Sequence, residues 1–335
     1  MISMQIVQYR NLNNMKVLEE CNRRVRLGEE TFKNKIIPFS MVNEICELLV
    51  GFKRLMTEYE VEEYSMQATT AVREALNRVF LLDQIYIRTG LKVTVIDLPE
   101  EIYTKYASIR RTMKLDGLTG VDESMLMMDI SSGGLGITFV KDNIIRYQQN
   151  LNIGVIRVKE SFSRNQRSSM KFNQALAEYL SSTMGAVRDA LKNEQIHYLV
   201  LTGAESELLL QMMGVEFKAG VIRIKTEQFM QLFKTVHELN LPQIIKVFKI
   251  NEDVAELVVP TILLYEQLLA LVPVQEIILT DDRFIDGICL LHIGPKASKD
   301  YADELEQEQL SLLYSIGERY QYDEAHSRQV AKLAL

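Results

Sequence analysis

Cysteine is scarce in this sequence, and long apolar runs are missing from it. Its 335 residues contain three cysteines. Cys21, Cys46 and Cys289 are odd in number and far apart, so the sequence predicts neither a disulfide framework nor a paired-cysteine metal site. No stretch approaches the roughly 18 consecutive apolar residues of a membrane span, and polar groups throughout residues 1–20 argue against a secretory leader. We therefore expect a cytoplasmic protein without a membrane partner.

Basic residues are also fewer than acidic ones. The 38 lysines and arginines are outnumbered by 45 acidic residues, which gives a net charge of −7 and argues against a nucleic-acid partner. Basic residues do concentrate locally, which leaves room for a smaller polyanionic substrate. The clusters are Arg23, Arg24 and Arg26; Arg110, Arg111 and Lys114; and Lys159, Arg164, Arg167 and Lys171. Taken alone, each cluster is typical of a solvated surface.

The length and the order of the patterns predict two α/β domains with a cleft between them. Alternating apolar residues predict a hairpin over residues 1–28 that turns at Asn11 to Asn14. Helical spacing follows at 39–59, where Ser40 is the expected N-cap. The other elements predicted for this half are strands at 64–68 and 92–97, a helix at Thr70–Arg88 that Gly90 ends, and a helix from Pro99.

A polar, glycine-rich stretch at 115–122 suits a domain boundary, and the pattern then restarts. The elements predicted after it are a strand at 123–130, a hairpin turning at Asp142 and Asn143, helices at 169–193 and 252–271, and strands at 197–203 and 274–281. Strands that alternate with helices imply a mostly parallel sheet. The predicted divisions are a first lobe at 1–118, a second lobe at 119–296 and a helical segment at 297–335. Because that segment stops inside an amphipathic helix without a capping signal, we expect the protein to continue.

The strand that leads to Asp129 is the segment most suggestive of chemistry. An apolar strand that ends in aspartate and a Ser/Gly turn places a carboxylate at the edge of a sheet, where backbone N–H groups can hold a phosphate. The turn residues are Ser131, Ser132, Gly133 and Gly134. The carboxylate can hold Mg²⁺ or a water molecule. A glycine-rich turn is equally typical of a plain hairpin, and the local pattern leaves both interpretations open.

Two further segments carry a resemblance to a known family. The segments are ATTAVREALNR at 68–78 and VIDLPEEIYTKYASI at 95–109, and DISSGG follows them at 129–134. In the same order, the Ppx/GppA family has an A-T-S-A-x-R-x-A-x-N segment, a helix with E-E-A and a D-I-G-G-G-S-T-E-L loop, which these segments resemble. VRLGEE at 25–30 and GVIRVKESF at 154–162 extend the resemblance to nearly the whole chain. It implies an α/β, two-lobed, actin-like fold of the ribonuclease H-like type, shared by sugar kinases, actin and Hsp70. The duplicated order of hairpin and α/β units suggests the same fold.

The resemblance also implies roles for individual residues. Arg73 would contact phosphate through its planar fork, and Glu101 would be the general base that activates water. Asp129 would be catalytic and would hold Mg²⁺, beside the phosphate-binding turn. The implied substrates are polyphosphate or guanosine pentaphosphate, with Arg23, Arg24, Arg110 and Arg111 along a polyanion path. A homodimer is expected on the same ground.

Several positions depart from the family pattern. The first phosphate loop, D-x-G-S-N-S, should directly precede the strand that begins at Ile2. In the second loop Ser131 and Ser132 replace glycines, and Gly136 replaces a glutamate that supports metal and water. Ile285 stands where an arginine is expected, and TGAES at 202–206 alone represents a later glycine-rich loop. His326 matches the first histidine of an HD-like domain, and the paired His-Asp of that domain would come after the last residue of this sequence.

Three functions therefore stay open. The first is a phosphohydrolase that uses Mg²⁺ to cleave terminal phosphoryl groups. The second is a catalytically degenerate member that binds a phosphorylated ligand or a partner protein without turnover, because each lost donor or ligand removes about 2 to 4 kcal/mol of transition-state stabilisation. The third, an actin-like or sugar-kinase ATPase, has the least support, because no adenosine-loop signature follows the first hairpin.

Overall fold

The computed structural model describes residues 1–118, 124–131, 133–142, 144–162, 172–216 and 220–334. Its first half begins with the predicted hairpin, in which strands β1 (Ile2–Asn11) and β2 (Asn14–Arg23) are antiparallel. A second pair of short strands, β3 (Gln67–Ala68) and β4 (Thr94–Val95), is parallel. The helices of this half are α1 (Leu27–Asn34), α2 (Phe39–Glu58), α3 (Thr70–Arg73), α4 (Arg78–Thr89) and α5 (Leu98–Leu115).

Two helix predictions in this half need correction. The single helix predicted from Thr70 to Arg88 is divided into α3 and α4, because Asn77 leaves the helical path to bond with another segment. Its side chain accepts a hydrogen bond from the Ile37 backbone N–H at 2.9 Å and donates one to the Ile37 carbonyl oxygen at 2.8 Å. Ser40 is not the N-cap of α2: Pro38 occupies that position, without a side-chain capping bond. Gly90 does end α4, in the left-handed conformation.

Within the described residues, six strands form the main sheet, in the order β7-β6-β5-β8-β10-β9. They are β5 (Ser124–Ile130), β6 (Leu135–Lys141), β7 (Ile144–Leu151), β8 (Tyr198–Thr202), β9 (Val221–Lys225) and β10 (Glu276–Thr280). The prediction of a mostly parallel sheet is wrong for this sheet, because only two of its five neighbouring strand pairs, β5-β8 and β8-β10, are parallel. The hairpins β5-β6 and β6-β7 and the edge strand β9 are antiparallel.

Helices cover this sheet and extend beyond it. They are α6 (Val155–Ser161), α7 (Phe172–Thr183), α8 (Gly185–Leu191), α9 (Ala204–Met213), α10 (Thr226–His237), α11 (Leu241–Phe248), α12 (Glu252–Leu271), α13 (Phe284–Ala297), α14 (Lys299–Arg319) and α15 (Glu324–Ala334). The long helix predicted at 169–193 is interrupted at Met184, and its first residues lie outside the described part, as does Asn143 of the predicted turn. The helical character predicted for the last segment is confirmed by α14 and α15.

The two faces of the main sheet pack in different cores. Leu126, Met128 and Ile130 of β5 belong to the larger core, which α12 shares. The opposite face packs against α5, a helix that the predicted boundary at residue 118 assigns to the first lobe. A separate core joins α2 and α4 with the loop before α1. Helix α5 therefore carries residues of the first half directly onto the sheet of the second.

One described helix is long and apolar enough to cross a membrane. This is α12, whose most apolar window has a mean hydropathy of 1.6 and is 56% buried inside the protein. Leu264, Tyr265 and Leu268 of this helix are fully buried in the larger core. Length and hydropathy do not separate such a core helix from a membrane span.

Candidate functional site

Asp129 lies next to the end of β5, on the sheet face that α5 covers. Side chains alternate between the two faces of a strand, so Met125, Met127 and Asp129 share one face. Both methionines pack in the core under α5. Asp129 is only 7% exposed. Its carboxylate is therefore held at the edge of the sheet, against α5.

Lys105 on α5 forms an ion pair with this carboxylate. Its Nζ contacts Oδ1 of Asp129, and the two side chains are 14% and 10% exposed. Lys105 lies four residues after Glu101, and residues at this spacing share one face of a helix. The predicted metal ligand therefore already has a positively charged partner.

Glu101 is held by Arg73 and Thr70. Nη2 of Arg73 lies 3.0 Å from Oε2 of Glu101, and the Thr70 hydroxyl donates to the same oxygen at 3.2 Å. Arg73 also donates to the Thr70 hydroxyl at 2.8 Å and to the Ile96 carbonyl oxygen at 2.7 Å. The structure thus brings together the predicted phosphate-contacting arginine and the predicted general base.

The turn after β5 forms hydrogen bonds with itself. The Ser131 N–H donates to the Gly134 carbonyl oxygen at 2.9 Å, and the Gly134 N–H donates to Oγ of Ser131 at 3.1 Å. Two of the N–H groups predicted to hold phosphate are therefore engaged within the turn. Ser132, which was also predicted to bind phosphate, lies outside the described residues.

Segments on both sides pack closely against the turn, with no room for a side chain at Gly133 or at the neighbouring Gly154. A Cβ at Gly133 would lie 2.8 Å from the Phe32 ring and 2.9 Å from the Thr70 methyl group. On the other side, a Cβ at Gly154 would lie 2.3 Å from the backbone nitrogen of Gly134. The turn is therefore packed between α1 and α3 of the first half and the start of α6.

Arg157 on α6 connects the turn to the first half. Its Nε donates to the Gly133 carbonyl oxygen at 2.7 Å, and its guanidinium pairs with Glu74 and lies 4.5 Å from the centre of the Phe32 ring. Burial opposes ionisation of Glu74, but Arg157 and Lys35 outweigh it and hold the pKa of this carboxyl below its usual value. Arg157 is therefore well placed to fix the conformation of this turn.

The residues around Asp129 do not fit the Mg²⁺ site expected from the resemblance. Mg²⁺ needs an octahedral set of oxygen ligands. Asp129 is paired with Lys105, and its neighbour across the β5-β6 pair is Gly136 instead of a carboxylate. Over the described ranges, no group of three His, Cys, Asp or Glu side chains is arranged to hold a metal ion. The Mg²⁺ assignment stays a prediction from the sequence.

The polyanion path stays a prediction at Arg110 and Arg111, whose guanidinium groups have partners within the protein. Arg110 is paired with Glu304 at 2.7 Å and with Glu308, both on α14, and its side chain is 16% exposed. Arg111 donates to the Leu12 carbonyl oxygen. These guanidinium groups thus join α5 to α14 and to the turn of the first hairpin. Arg23 and Arg24 are exposed on and after β2, and their role stays a prediction.

The third basic cluster is only partly described. Lys159 pairs with Glu256 at 2.7 Å, whereas Arg164, Arg167 and Lys171 lie outside the described residues. Three of the four histidines contact a neighbouring side chain. His197 bonds with Ser124, His237 with Glu266 and His292 with Glu63, and His326 is exposed on α15.

Sequence reasoning missed Lys105, Thr70 and Arg157. Lys105 could have been found from its helical spacing to Glu101, and Thr70 from its position three residues before Arg73 in the same motif. Arg157 carries no comparable signal, because its contacts with Gly133 and Glu74 join segments far apart in the sequence.

A model of the Ppx/GppA phosphatase family matches residues 5–290 of this chain. Among known proteins, the chain is 25% identical over 145 residues to a bifunctional 3-dehydroquinate synthase/phosphatase of Fusobacterium nucleatum subsp. nucleatum. That match covers 43% of this chain and 21% of the relative, so the chain spans about a fifth of the relative's length.

Solved structures extend the likeness to most of the fold. A crystal structure of the Aquifex aeolicus member of the Ppx/GppA family overlaps with a TM-score of 0.72 at 18% identity, covering 88% of this chain and 95% of that one. An exopolyphosphatase from Cytophaga hutchinsonii ATCC 33406 overlaps with a TM-score of 0.74 at 19% identity, covering 87% and 94%. The predicted actin-like α/β fold is confirmed by these overlaps.

Proposed function

This chain belongs to the Ppx/GppA phosphatase family, and we propose that it hydrolyses the terminal phosphoryl group of inorganic polyphosphate or of a guanosine pentaphosphate. The observation that carries the proposal is the contact between Arg73 and Glu101 beside Thr70, whose methyl group touches the glycine turn. These contacts support the proposal because the guanidinium proposed to contact phosphate and the carboxylate proposed as the general base lie beside the turn proposed to bind phosphate.

In the proposed reaction, Glu101 orients a water molecule and accepts its proton. The water oxygen forms a bond to the terminal phosphorus while the bond to the bridging oxygen breaks. That bridging oxygen leaves with the electron pair on the shortened phosphate chain. The Arg73 guanidinium, held at its other end by the Ile96 carbonyl oxygen, would share charge with the oxygens of the transferred group.

A second candidate function is binding without turnover. It is favoured by the hydrogen bonds inside the turn, which engage the N–H groups of Ser131 and Gly134. Gly136 adds to it, because this position has no carboxylate to support an attacking water. Phosphate stabilisation would then come from side chains more than from backbone N–H groups.

Phosphate release and calorimetry, each with polyphosphate and with guanosine pentaphosphate, distinguish the two functions. We expect Glu101→Gln to lower the turnover number at least about a hundredfold while binding is kept. The matched control is Glu100→Gln, since Glu100 is an exposed neighbour on the same helix turn. Binding by the unaltered protein without phosphate release would support the second candidate, and saturable ATP hydrolysis would instead support the actin-like ATPase.

A further inference from the structure

We propose that the ammonium group of Lys105 is the resident cation of the Asp129 carboxylate and occupies the place where a phosphohydrolase of this fold would use a divalent metal. The inference concerns which cation the site holds, so it does not depend on whether the chain hydrolyses its ligand. Its starting point is the ion pair between Lys105 Nζ and Asp129 Oδ1 on the sheet edge.

The surroundings favour a permanent pair over an incidental one. Both side chains are largely removed from solvent, at 14% and 10% exposed. An exposed pair contributes little, whereas a carboxylate at low exposure needs a partner of opposite charge. A divalent ion at Asp129 would therefore compete with an ammonium group that already pairs with the carboxylate.

The charges of the site are balanced without a metal. Glu101 is paired with Arg73, and Asp129 is paired with Lys105. These two carboxylates thus meet two fixed cations, one planar and one compact. Adding a divalent ion would place two further positive charges beside the ammonium group, with no extra carboxylate at Gly136 to offset them.

The packing also brings the Lys105 ammonium group near the turn that is proposed to bind phosphate. Lys105 and Glu101 lie one turn apart on α5, and Glu101 contacts Thr70, whose methyl group touches the glycine turn. Asp129 and Ser131 are two residues apart at the end of β5. A phosphate group on this turn would meet the Lys105 ammonium as a point charge, which is the usual way in which lysine binds phosphate.

Manganese titration monitored by electron paramagnetic resonance tests the inference directly, because it counts free Mn²⁺ without relying on activity. The unaltered protein should show no saturable Mn²⁺ site. Lys105→Met should bind Mn²⁺ at least about a hundredfold more tightly than the upper limit found for the unaltered protein, because it removes a unit positive charge beside the carboxylate. The double variant Lys105→Met/Asp129→Asn should lose that gain again.

Lys141→Met is the matched control, since Lys141 pairs with Glu194 at the surface, where its side chain is 46% exposed. It should leave Mn²⁺ binding unchanged. Saturable binding by the unaltered protein that Asp129→Asn removes would overturn the inference, and so would a folded Lys105→Met variant that binds Mn²⁺ no more tightly than the unaltered protein. Mn²⁺ binding by the unaltered protein tests the inference even where Lys105→Met fails to fold.

Discussion

Individual charged residues in this protein are chiefly partners for one another. Arg73, Lys105 and Arg110 each have side chains less than a fifth exposed, and each contacts a carboxylate from another segment. Their side-chain charges were visible in the sequence, but the partners were not. Arg110, which the sequence suggested for a polyanion path, thus pairs with Glu304 and Glu308 of α14 in the structure.

Asp282 is a buried carboxyl group whose ionisation works against folding. The Ser108 hydroxyl and the Thr112 hydroxyl both donate to its Oδ1, the latter at 3.0 Å. Burial nevertheless raises the pKa of Asp282 above its ordinary value of 3.8. The folded state therefore holds this proton more tightly than the unfolded chain does. This contribution to stability is fully present below the unfolded pKa and is lost as the pH rises through the folded pKa.

We therefore predict that Asp282→Asn raises the free energy of unfolding at about pH 7, and that the gain shrinks as the pH falls towards about 4. Urea unfolding followed by circular dichroism over this range measures it. Asp83→Asn on α4 is the control, because Asp83 is exposed and should change the free energy of unfolding little at any pH. A gain that is constant with pH would contradict this explanation.

At the scale of elements, close approaches between helices depend on residues that look unremarkable in the sequence. Gly287 lies inside α13, where α13 crosses α5, and a Cβ there would be 2.1 Å from the Thr104 carbonyl oxygen. Gly51 lies inside α2, and nothing is within 4 Å of the position of its Cβ. In the sequence both positions look like ordinary glycines inside a helix. Only the packing around them in the structure shows that they differ.

These two glycines should respond in opposite directions to the same change. Gly287→Ala should lower the free energy of unfolding by about 2 kcal/mol, because backbone must move to admit the methyl group. Gly51→Ala should raise it by about 0.5 to 1 kcal/mol, because alanine loses less conformational entropy in a helix. Urea unfolding of both variants provides the comparison, and a stabilised Gly287→Ala protein would show that α5 and α13 are not packed as described.

At the scale of the whole molecule, α14 is attached to α5 by buried charges. Glu308 is 7% exposed, pairs with Arg110 and accepts a hydrogen bond from the Tyr103 hydroxyl at 3.2 Å. Glu304 pairs with both Arg110 and the exposed Lys114. The segment after residue 297 is thus joined to the helix that also carries Glu101 and Lys105.

Removing the buried member of this network should be far more costly than removing the exposed one. We expect Arg110→Met to lower the free energy of unfolding by about 3 kcal/mol, because Glu308 would be left as an unpaired buried carboxylate. Lys114→Met should change it by less than about 0.5 kcal/mol, since its side chain is 62% exposed. Equal effects, measured by urea unfolding, would mean that α14 is not held through Arg110.

Much of the architecture followed from the sequence, because it depends on local periodicity. The first hairpin, α2, α5, α12 and the strands around 124–130, 198–202 and 276–280 were predicted from apolar spacing and turn residues. The motif containing Arg73 and the helix containing Glu101 were identified with the correct order and type. The division between α3 and α4 was not, since Asn77 leaves the helix to bond with Ile37, a contact between distant segments.

The sequence alone determined the family and the fold class, and it predicted which carboxylates and arginine form the site, because motifs and periodicity are local properties of the chain. Tertiary structure decided what each charge contacts. It paired Asp129 with Lys105, turned the N–H groups of Ser131 and Gly134 inward and placed Arg110 in the interior. Electrostatic interactions depend on distance and burial, and neither quantity is defined until the helices and the sheet have packed.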